Sequence, residues 1–554
     1  MKSKIKSDIW AGVILSSILL TLPFILPHTG LLMLVALLPL LEAERLITAR
    51  GIRRGWIYHY SAFLLWNLFT TYWIYNATLP GAIAAVFLNS LQMSLIFGGF
   101  RWFKRRVSPS VGYLFLVLGW LAWEHFYFDA EISWPWLVLG NGFATTIKNI
   151  QWYEYTGTLG GSLWILMSNV LLFRILREMI FPDNNTAALG VDGINKDRKK
   201  LTRGNLAAVA MYVTLAAGPV VLSQVIYHNY KEKPDPKEFL IIQPNIDPYS
   251  DKFSGMSQQE QDQILLSIAR DNVTERTAMI IAPETFTSNV LENSPYKNST
   301  ITGGVELLKA TGTGNLLMGA QSFRIYPSHE FHDQPTLTAR KTDGGWYDSF
   351  NTALYLDSTG GISFYHKSKL VVGVEYLPYP KYLGFLNNMM IDLGGATGSY
   401  GTQEERYVHS TLDGTVKIGA AICYESVYGD YYRDYILNGA NVMSIITNDG
   451  WWGNTPGYRQ HLRYASLRAI ETRRSIARSA NTGISALINQ RGDVINELGW
   501  WERGYLRGEL NLNEKETVFV KYGDYIGRIA YVSMLLFVSL ALLTLFGISV
   551  KGKR

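Results

Sequence analysis

TVKIGAAICYES, residues 415–426, is a run of small and apolar residues that stops at a cysteine, a tyrosine and a glutamate. A short apolar run of this kind reads as a buried strand, and the polar residues at its end mark a strand-to-turn junction, a good position for a nucleophile. Four similar runs lie in the same part of the chain: EFLIIQPNI (238–246), AMIIAPET (278–285), NLLMGAQSF (315–323) and NVMSIITND (441–449). Between them, 258–272 and 457–474 read as helices, the second with Leu462, Ala465, Leu467, Ala469 and Ile470 at helical spacing. Alternating strands and helices predict an α/β domain over residues 229–524.

On either side of that domain the chain changes character. Apolar runs near 20 residues, long enough as helices to cross a bilayer core of about 30 Å, occupy 9–26, 31–46, 57–75, 81–100, 111–128, 158–179 and 206–227, with an eighth at 526–550. Glu42 and Glu44 close the second, and Glu124 with His125 interrupts the fifth. Lys2, Lys4 and Lys6 lead into the first run without a small-residue cleavage site, so it reads as a retained helix and not a cleaved signal. The expected division is a membrane domain of seven helices over 1–228, the α/β domain over 229–524, and a last helix with its tail over 525–554.

The 554 residues exceed what one compact core organises. A hydrophobic share of 48% suits a chain that is partly in lipid and partly in water. The net charge of +6 is modest, and its basic residues cluster beside apolar runs instead of forming a nucleic-acid-binding stripe. Arg45, Arg50, Arg53 and Arg54, then Arg101, Lys104, Arg105 and Arg106, then Lys196, Arg198, Lys199, Lys200 and Arg203 make every second loop positive, and Lys551, Lys553 and Arg554 close the series. Because cytoplasmic loops are enriched in Lys and Arg, both termini are expected inside and residues 229–524 outside the cytoplasm.

Cys423 is the sole cysteine, so neither an intrachain disulfide nor a multi-cysteine metal site is possible. A lone cysteine by itself reads as a small buried apolar residue. As a nucleophile it would need help, since a free thiol titrates at about 8.5 and little of it is thiolate at neutral pH. Glu284, at the end of the strand IIAPE, can take its proton, and Lys367 in YHKSKL can stabilise a thiolate and then an oxyanion. Taken singly, each charge reads as a solvated surface group.

The order Glu284, Lys367, Cys423 with these flanks resembles the nitrilase superfamily, and the match is most specific to the apolipoprotein N-acyltransferases, over essentially the whole chain. The resemblance implies a multi-pass α-helical membrane domain of about eight helices plus a nitrilase-like α-β-β-α sandwich in the periplasm of a bacterial inner-membrane protein. It assigns Glu284 as general base, Lys367 as catalytic lysine and Cys423 as nucleophile, with Glu375, Tyr424 and Glu425 in support. Lys369 is a second lysine that strand alternation could put on the same face, and the spacing to Glu375 favours Lys367. Residues 448–486, including Asn448, His461, Arg468, Glu471, Arg478 and Asn481, match the family's scaffold after the nucleophile, and SWPWLVLGN (133–141) matches a membrane-domain signature expected to line a lipid entrance. VVGVE (371–375) stands where the family commonly has a Pro-Phe-Gly-Glu run, and Phe253 where a tryptophan is often found.

The activity implied is transfer of the sn-1 acyl chain of a phospholipid, through a cysteine thioester, to the α-amino group of a diacylated apolipoprotein. It needs no metal and no cofactor, and the protein is expected to act as a monomer. The aromatic and Met-rich stretch 376–398 is expected to form a lid over lipid, with Phe385, Leu386, Met389, Met390 and, from the scaffold region, Trp451 contacting substrate. Two other readings use the same residues: a membrane-tethered amidase, which one anchor would serve, and a non-catalytic lipid-binding scaffold or transporter, which has no use for a filled triad.

Overall fold

The computed structural model describes residues 2–180, 203–252, 255–331, 333–379 and 399–546. Helices α1 (Lys2–Ile25), α2 (Leu38–Ala49), α3 (Trp56–Thr71), α4 (Leu79–Arg106), α5 (Pro109–Asp129), α6 (Tyr153–Ile180) and α7 (Arg203–Asn229) form the N-terminal bundle. Thr78 and Ser108 cap α4 and α5 by accepting from the amides of Gly81 and Val111, each with proline in the first turn, where its missing N–H leaves nothing unpaired. Helix α6 bends at Gly157, whose φ is +63°, and a Cβ there would fall 2.4 Å from the Phe519 ring.

Six helices among the described residues are long and apolar enough to cross a membrane, with spans at Ile5–Ile25, Leu79–Arg106, Pro109–Asp129, Tyr153–Met179, Leu206–Asn229 and Tyr525–Leu545. The second and third apolar runs differ from expectation. The second is broken into a 3-10 turn, Gly30–Leu34, and the 12-residue α2, which at 1.5 Å per residue reaches only about 18 Å. Backbone bonds change register between the two pieces, where Val35 and Ala36 donate to Leu32 and Met33, three residues back. The third is the 16-residue α3 followed by a 3-10 turn, Tyr72–Asn76.

Two sheets follow. Strands β1 (Pro236–Gln243), β2 (Thr277–Ile281), β3 (Thr287–Leu291), β4 (Asn315–Pro327), β5 (Arg340–Thr342), β6 (Gly345–Asp357), β7 (Ile362–His366) and β14 (Gly504–Asn511) form the first, in order β14-β1-β2-β4-β6-β5, with β3 on β4 and β7 on β6. Strands β8 (Val408–Ser410), β9 (Lys417–Ile422), β10 (Val442–Thr447), β11 (Ile476–Ala480), β12 (Ser485–Ile488) and β13 (Val494–Leu498) form the second, in order β13-β12-β11-β10-β9-β8. The central strands of each sheet, β1-β2-β4 and β9-β10-β11, run parallel, which is why their sequences read as near-continuous apolar runs.

Phe239, Ile241, Met279, Ile281 and Leu317 of the first sheet meet Ile418, Ala420, Ile422, Met443 and Ile445 of the second in one buried core. On the first sheet's other face, Leu240, Ile242 and Ile280 bury against α8 (Gln258–Asn272) and α9 (Ser299–Thr311). Helices α10 (Gly429–Leu437) and α11 (Pro456–Thr472) cover the second sheet, and α12 (Val518–Tyr522) leads into α13 (Tyr525–Leu545). This is an α-β-β-α sandwich.

Bundle and sandwich share one apolar cluster: Tyr424, Val427, Tyr428, Tyr464, Leu467 and Ile470 are buried together with Trp73, Trp120 and Trp136. Gln460 of α11 ties the two together, accepting from the indoles of Trp73 (3.2 Å) and Trp136 (2.7 Å) and donating to the Thr70 carbonyl. Trp136 is fully buried there, so this part of the SWPWLVLGN segment packs the joint.

Candidate active site

Strand β9 ends at Ile422, and Cys423 opens a 3-10 turn that runs to Val427. Its φ is +50°, a left-handed conformation that costs a non-glycine residue about 1–3 kcal/mol and persists only where the surroundings enforce it. Three groups do so. Ser426 Oγ donates to the Cys423 carbonyl at 2.7 Å, and His461 Nε2 lies 3.1 Å from the same oxygen. Glu425, fully buried, accepts from the Ile422 amide at 2.8 Å with one oxygen and from the Ser368 amide (2.7 Å), Tyr365 (2.8 Å) and Tyr431 (2.5 Å) with the other. Glu425 therefore stitches the Cys423 turn to the chain just after Lys367.

Strand β2 delivers Glu284 through Ala282 and Pro283, and Thr285 beyond it is again left-handed, at φ +47°. Backbone meets backbone at this turn: Gly319 donates to the Pro283 carbonyl and accepts from Phe286, and a Cβ at 319 would sit 2.4 Å from Glu284 Cα. Lys367 follows β7, which ends at His366. The chain has already left the sheet, so Lys367 and Lys369 do not share a strand face: Lys367 turns inward, while Lys369 donates to the Phe128 carbonyl (2.9 Å) and pairs with Asp129 at the end of α5.

The charged groups converge. Lys367 Nζ is 3.1 Å from Glu284 Oε1 and 2.8 Å from Glu375 Oε1. Asn351 Nδ2 donates to the same two oxygens at 2.9 Å each, and the Asn448 amide donates to Glu284 Oε2 at 3.0 Å. The VVGVE segment still presents Glu375, whose second oxygen accepts from the Val371 amide at 2.7 Å. Burial opposes ionisation of Glu284, but the charge of Lys367, the Asn351 amide and Lys252 outweigh it and hold the carboxyl below its usual range. Burial likewise works against the Lys367 ammonium, and Glu284 and Glu375 overcome it and hold its pKa well above normal. Burial, reinforced by Glu284, pushes the Cys423 thiol well up against the pull of Lys367. These surroundings favour Glu284 as the carboxylate, Lys367 as the ammonium and Cys423 as the neutral thiol.

Cys423, Asp449 and His461 bring possible metal-ligand atoms within 4.8 Å of one another. Their valences are already used: Asp449 takes Arg478 Nη2 at 2.7 Å, Thr447 at 2.7 Å and His461 Nδ1 at 2.9 Å. Burial opposes ionisation of Asp449, yet Arg478 and His461 hold its carboxyl well below the usual range. With a guanidinium in the cluster, it braces the nucleophile's turn and disfavours a cation.

A carbon-nitrogen hydrolase family model matches residues 242–518, and the N-terminal domain model of apolipoprotein N-acyltransferase matches residues 16–171. An apolipoprotein N-acyltransferase of Chlorobaculum tepidum is 28% identical over 514 residues, 91% of this chain and 90% of that protein, and one of Geobacter metallireducens is 27% identical over 523 residues, 92% and 91% of the two chains. This chain belongs to the apolipoprotein N-acyltransferase family. It is a membrane-embedded acyltransferase whose catalytic part has the nitrilase fold.

Of the site residues the sequence named in this family member, Glu284, Lys367 and Glu375 lie in one hydrogen-bonded cluster with Cys423 close enough to feel their charge, and Glu425 is beneath the turn. Tyr424 faces away, donating to the Ser133 carbonyl at 3.0 Å and stacking on Trp134. Trp451 packs edge-on against Tyr249, whose hydroxyl donates to the Trp451 carbonyl at 2.8 Å. Phe385, Leu386, Met389 and Met390 lie outside the described residues, as does Phe253. Sequence reasoning missed Asn351 and Lys252. Asn351 shares a face of β6 with Ala353 and Tyr355, which point into the core between the sheets, but Ser349 and Asp357 on that face break the apolar alternation, so no sequence signal marked it.

Proposed function

We propose that this protein carries the sn-1 acyl chain of a phospholipid to the α-amino group of a diacylated apolipoprotein by way of a Cys423 thioester. Glu284 takes the thiol proton, and the sulfur attacks the ester carbonyl to give a tetrahedral oxyanion opposite the Lys367 ammonium. Collapse breaks the C–O bond, and the lysophospholipid leaves with the proton held by Glu284. The lipoprotein amine then attacks the thioester, Glu284 accepts its proton, and the sulfur departs and is reprotonated, leaving an amide. Glu375 and Asn351 position Lys367 and Glu284, and no step requires a metal or cofactor.

The observation that carries this reading is the geometry beside a single thiol, where the Lys367 ammonium lies 3.1 Å from Glu284 and 2.8 Å from Glu375 and Asn351 donates to both carboxylates. A carboxylate held ionised beside a thiol held neutral is arranged for proton transfer, and an ammonium locked between two carboxylates cannot itself act as base. Lipid substrates are favoured over small soluble amides by the way the nucleophile's turn is built into the membrane bundle, with Tyr424 and Tyr428 both hydrogen-bonded to Ser133.

The catalytic domain is placed in the periplasm of a two-membrane cell, with both termini cytoplasmic. Helix α4 supports this: its first residues follow Asn76, which donates to the Trp452 carbonyl of the catalytic domain, and about 42 Å away its last turn carries Lys104, Arg105 and Arg106, with Arg101 and Lys104 paired to Glu44. The basic residues 101–106, with Glu44 beside them, thus lie at the end remote from the sandwich.

Intact-mass spectrometry after incubation with phospholipid tests the donor step. One acyl mass on Cys423, removed by hydroxylamine, is the expected result, and an unmodified protein together with released fatty acid would overturn it.

A further inference from the structure

Lys252 is a buried cation beside the catalytic cluster that the chemistry above leaves unused; only 7% of its surface is exposed. It stands on a single helical turn in which the Asp251 and Lys252 amides both donate to the Asp247 carbonyl, and its own carbonyl accepts from Gln261 of α8 at 2.8 Å. From that fixed base its ammonium donates to the Glu284 carbonyl at 3.1 Å and to Thr285 Oγ1 at 3.0 Å. These are the two residues of the left-handed turn that Gly319 grips from its neighbouring strand.

The charges around Glu284 explain why such a group is needed. Lys367, from the segment after β7, is shared between Glu284 and Glu375, so one ammonium serves two carboxylates. Cys423 at the end of β9 is the third ionisable group facing them, and Asn351 of β6 contributes only an amide. With Lys252 the cluster holds two anions and two cations. Burial lowers the Lys252 ammonium to about 8, Glu284 pulling the other way, so it is mostly charged at neutral pH.

We propose that Lys252 is a positioning residue for the general base, clamping the Glu284–Thr285 turn and supplying a second fixed positive charge behind the carboxylate that receives the Cys423 proton. The inference rests on Glu284 being that base, and the test separates the two. Because Cys423 is the only thiol, alkylation by iodoacetamide, read by intact mass on the full-length protein in detergent, reports one site without any lipid substrate. Its rate is followed across about pH 2.5 to 9 in the parent, Lys252→Met, Lys252→Arg and Glu284→Gln proteins, alongside acyl loading from phospholipid.

Lys252→Met should slow acyl loading about tenfold or more and move the acid limb of both profiles to higher pH, because a carboxylate that has lost a neighbouring cation protonates more readily. Lys252→Arg, keeping the charge, should leave the limb where the parent has it even where its rate is lower. Lys252→Gln, neutral but still able to donate, takes the place of Lys252→Met if the latter does not fold, with the same shift expected. A neutral variant with the parent's acid limb overturns the proposal whether its rate is unchanged or reduced, since a reduced rate alone is only a structural effect. If Glu284→Gln abolishes the limb while the neutral Lys252 variant keeps it, the Lys252 inference alone fails; if Glu284→Gln keeps it, the base assignment fails with it.

Discussion

Two buried ionic clusters, one around the thiol and one at the joint between sandwich and bundle, use similar residues for different ends. In the joint, each arginine faces one carboxylate, with Arg468 and Glu471 on α11 and Arg473 just past its end. Arg468 of α11 lies 3.0 Å from Glu471 one turn on, and both bond Thr158 of α6, while Arg473 pairs with Glu154 at 2.8 Å and with Gln151. Around the thiol, Glu284, Glu375 and Lys367 sit on turns and loops, and single oxygens are shared by Lys367 and Asn351. One arginine facing one carboxylate fixes a geometry; one ammonium shared between two carboxylates leaves groups whose proton affinity depends on their neighbours. The first cluster should therefore govern stability and the second chemistry.

The largest break in that contrast comes at the thiol itself. Cys423→Ala should abolish acyl loading and transfer, and Glu284→Gln should slow loading by about 10²–10⁴-fold, the range general-base removal gives, with little change in thermal midpoint. At the joint the effects should reverse. Glu471→Ala leaves Arg468 buried without its carboxylate and should cost about 3–5 kcal/mol of stability, read as a lower thermal midpoint, while the acid limb of Cys423 alkylation stays in place. A shift of that limb would mean that the clusters are coupled.

Asn351→Ala sharpens the comparison from inside the catalytic cluster. Its amide donates to both carboxylates, so its loss should slow loading by about one to two powers of ten and raise the Glu284 pKa, moving the acid limb up. In the parent protein that limb should fall below the ordinary glutamate value of about 4.3, because Lys367 and Asn351 hold Glu284 down. The smallest effect should belong to Lys369→Met. Its partner Asp129 has 82% of its side chain exposed, and pairs of that kind contribute at most about 1 kcal/mol, so loading should stay within a few-fold of the parent.

These residues were unequally legible in the sequence. Glu284 and Cys423 follow β2 and β9, two short apolar strands whose runs stand out, and Lys367 was found by its family spacing to Glu375. Helix α8 was readable from apolar spacing because it buries one face, and α11 because its apolar residues recur at helical spacing although it is buried on nearly every side. Asn351 was hidden because β6 itself was not read, its aromatic and polar residues breaking the apolar run, and Lys252 because a charged residue in a polar loop has no periodicity. The bundle's count of apolar runs was plain, but the second breaks where Val35 and Ala36 donate three residues back, a backbone geometry that hydropathy does not encode.

The central claim is that a thioester on Cys423 is the intermediate from which the amine takes the acyl chain. Its most direct test is to load purified protein with an isotope-labelled phospholipid acyl chain, remove the donor, and add a diacylated lipopeptide with a free N-terminus. The account predicts that the acyl mass leaves Cys423 and appears in one-to-one amount as an N-terminal amide on the lipopeptide. An acyl-enzyme that persists in the presence of the lipopeptide, or that decays only to free fatty acid, would contradict it.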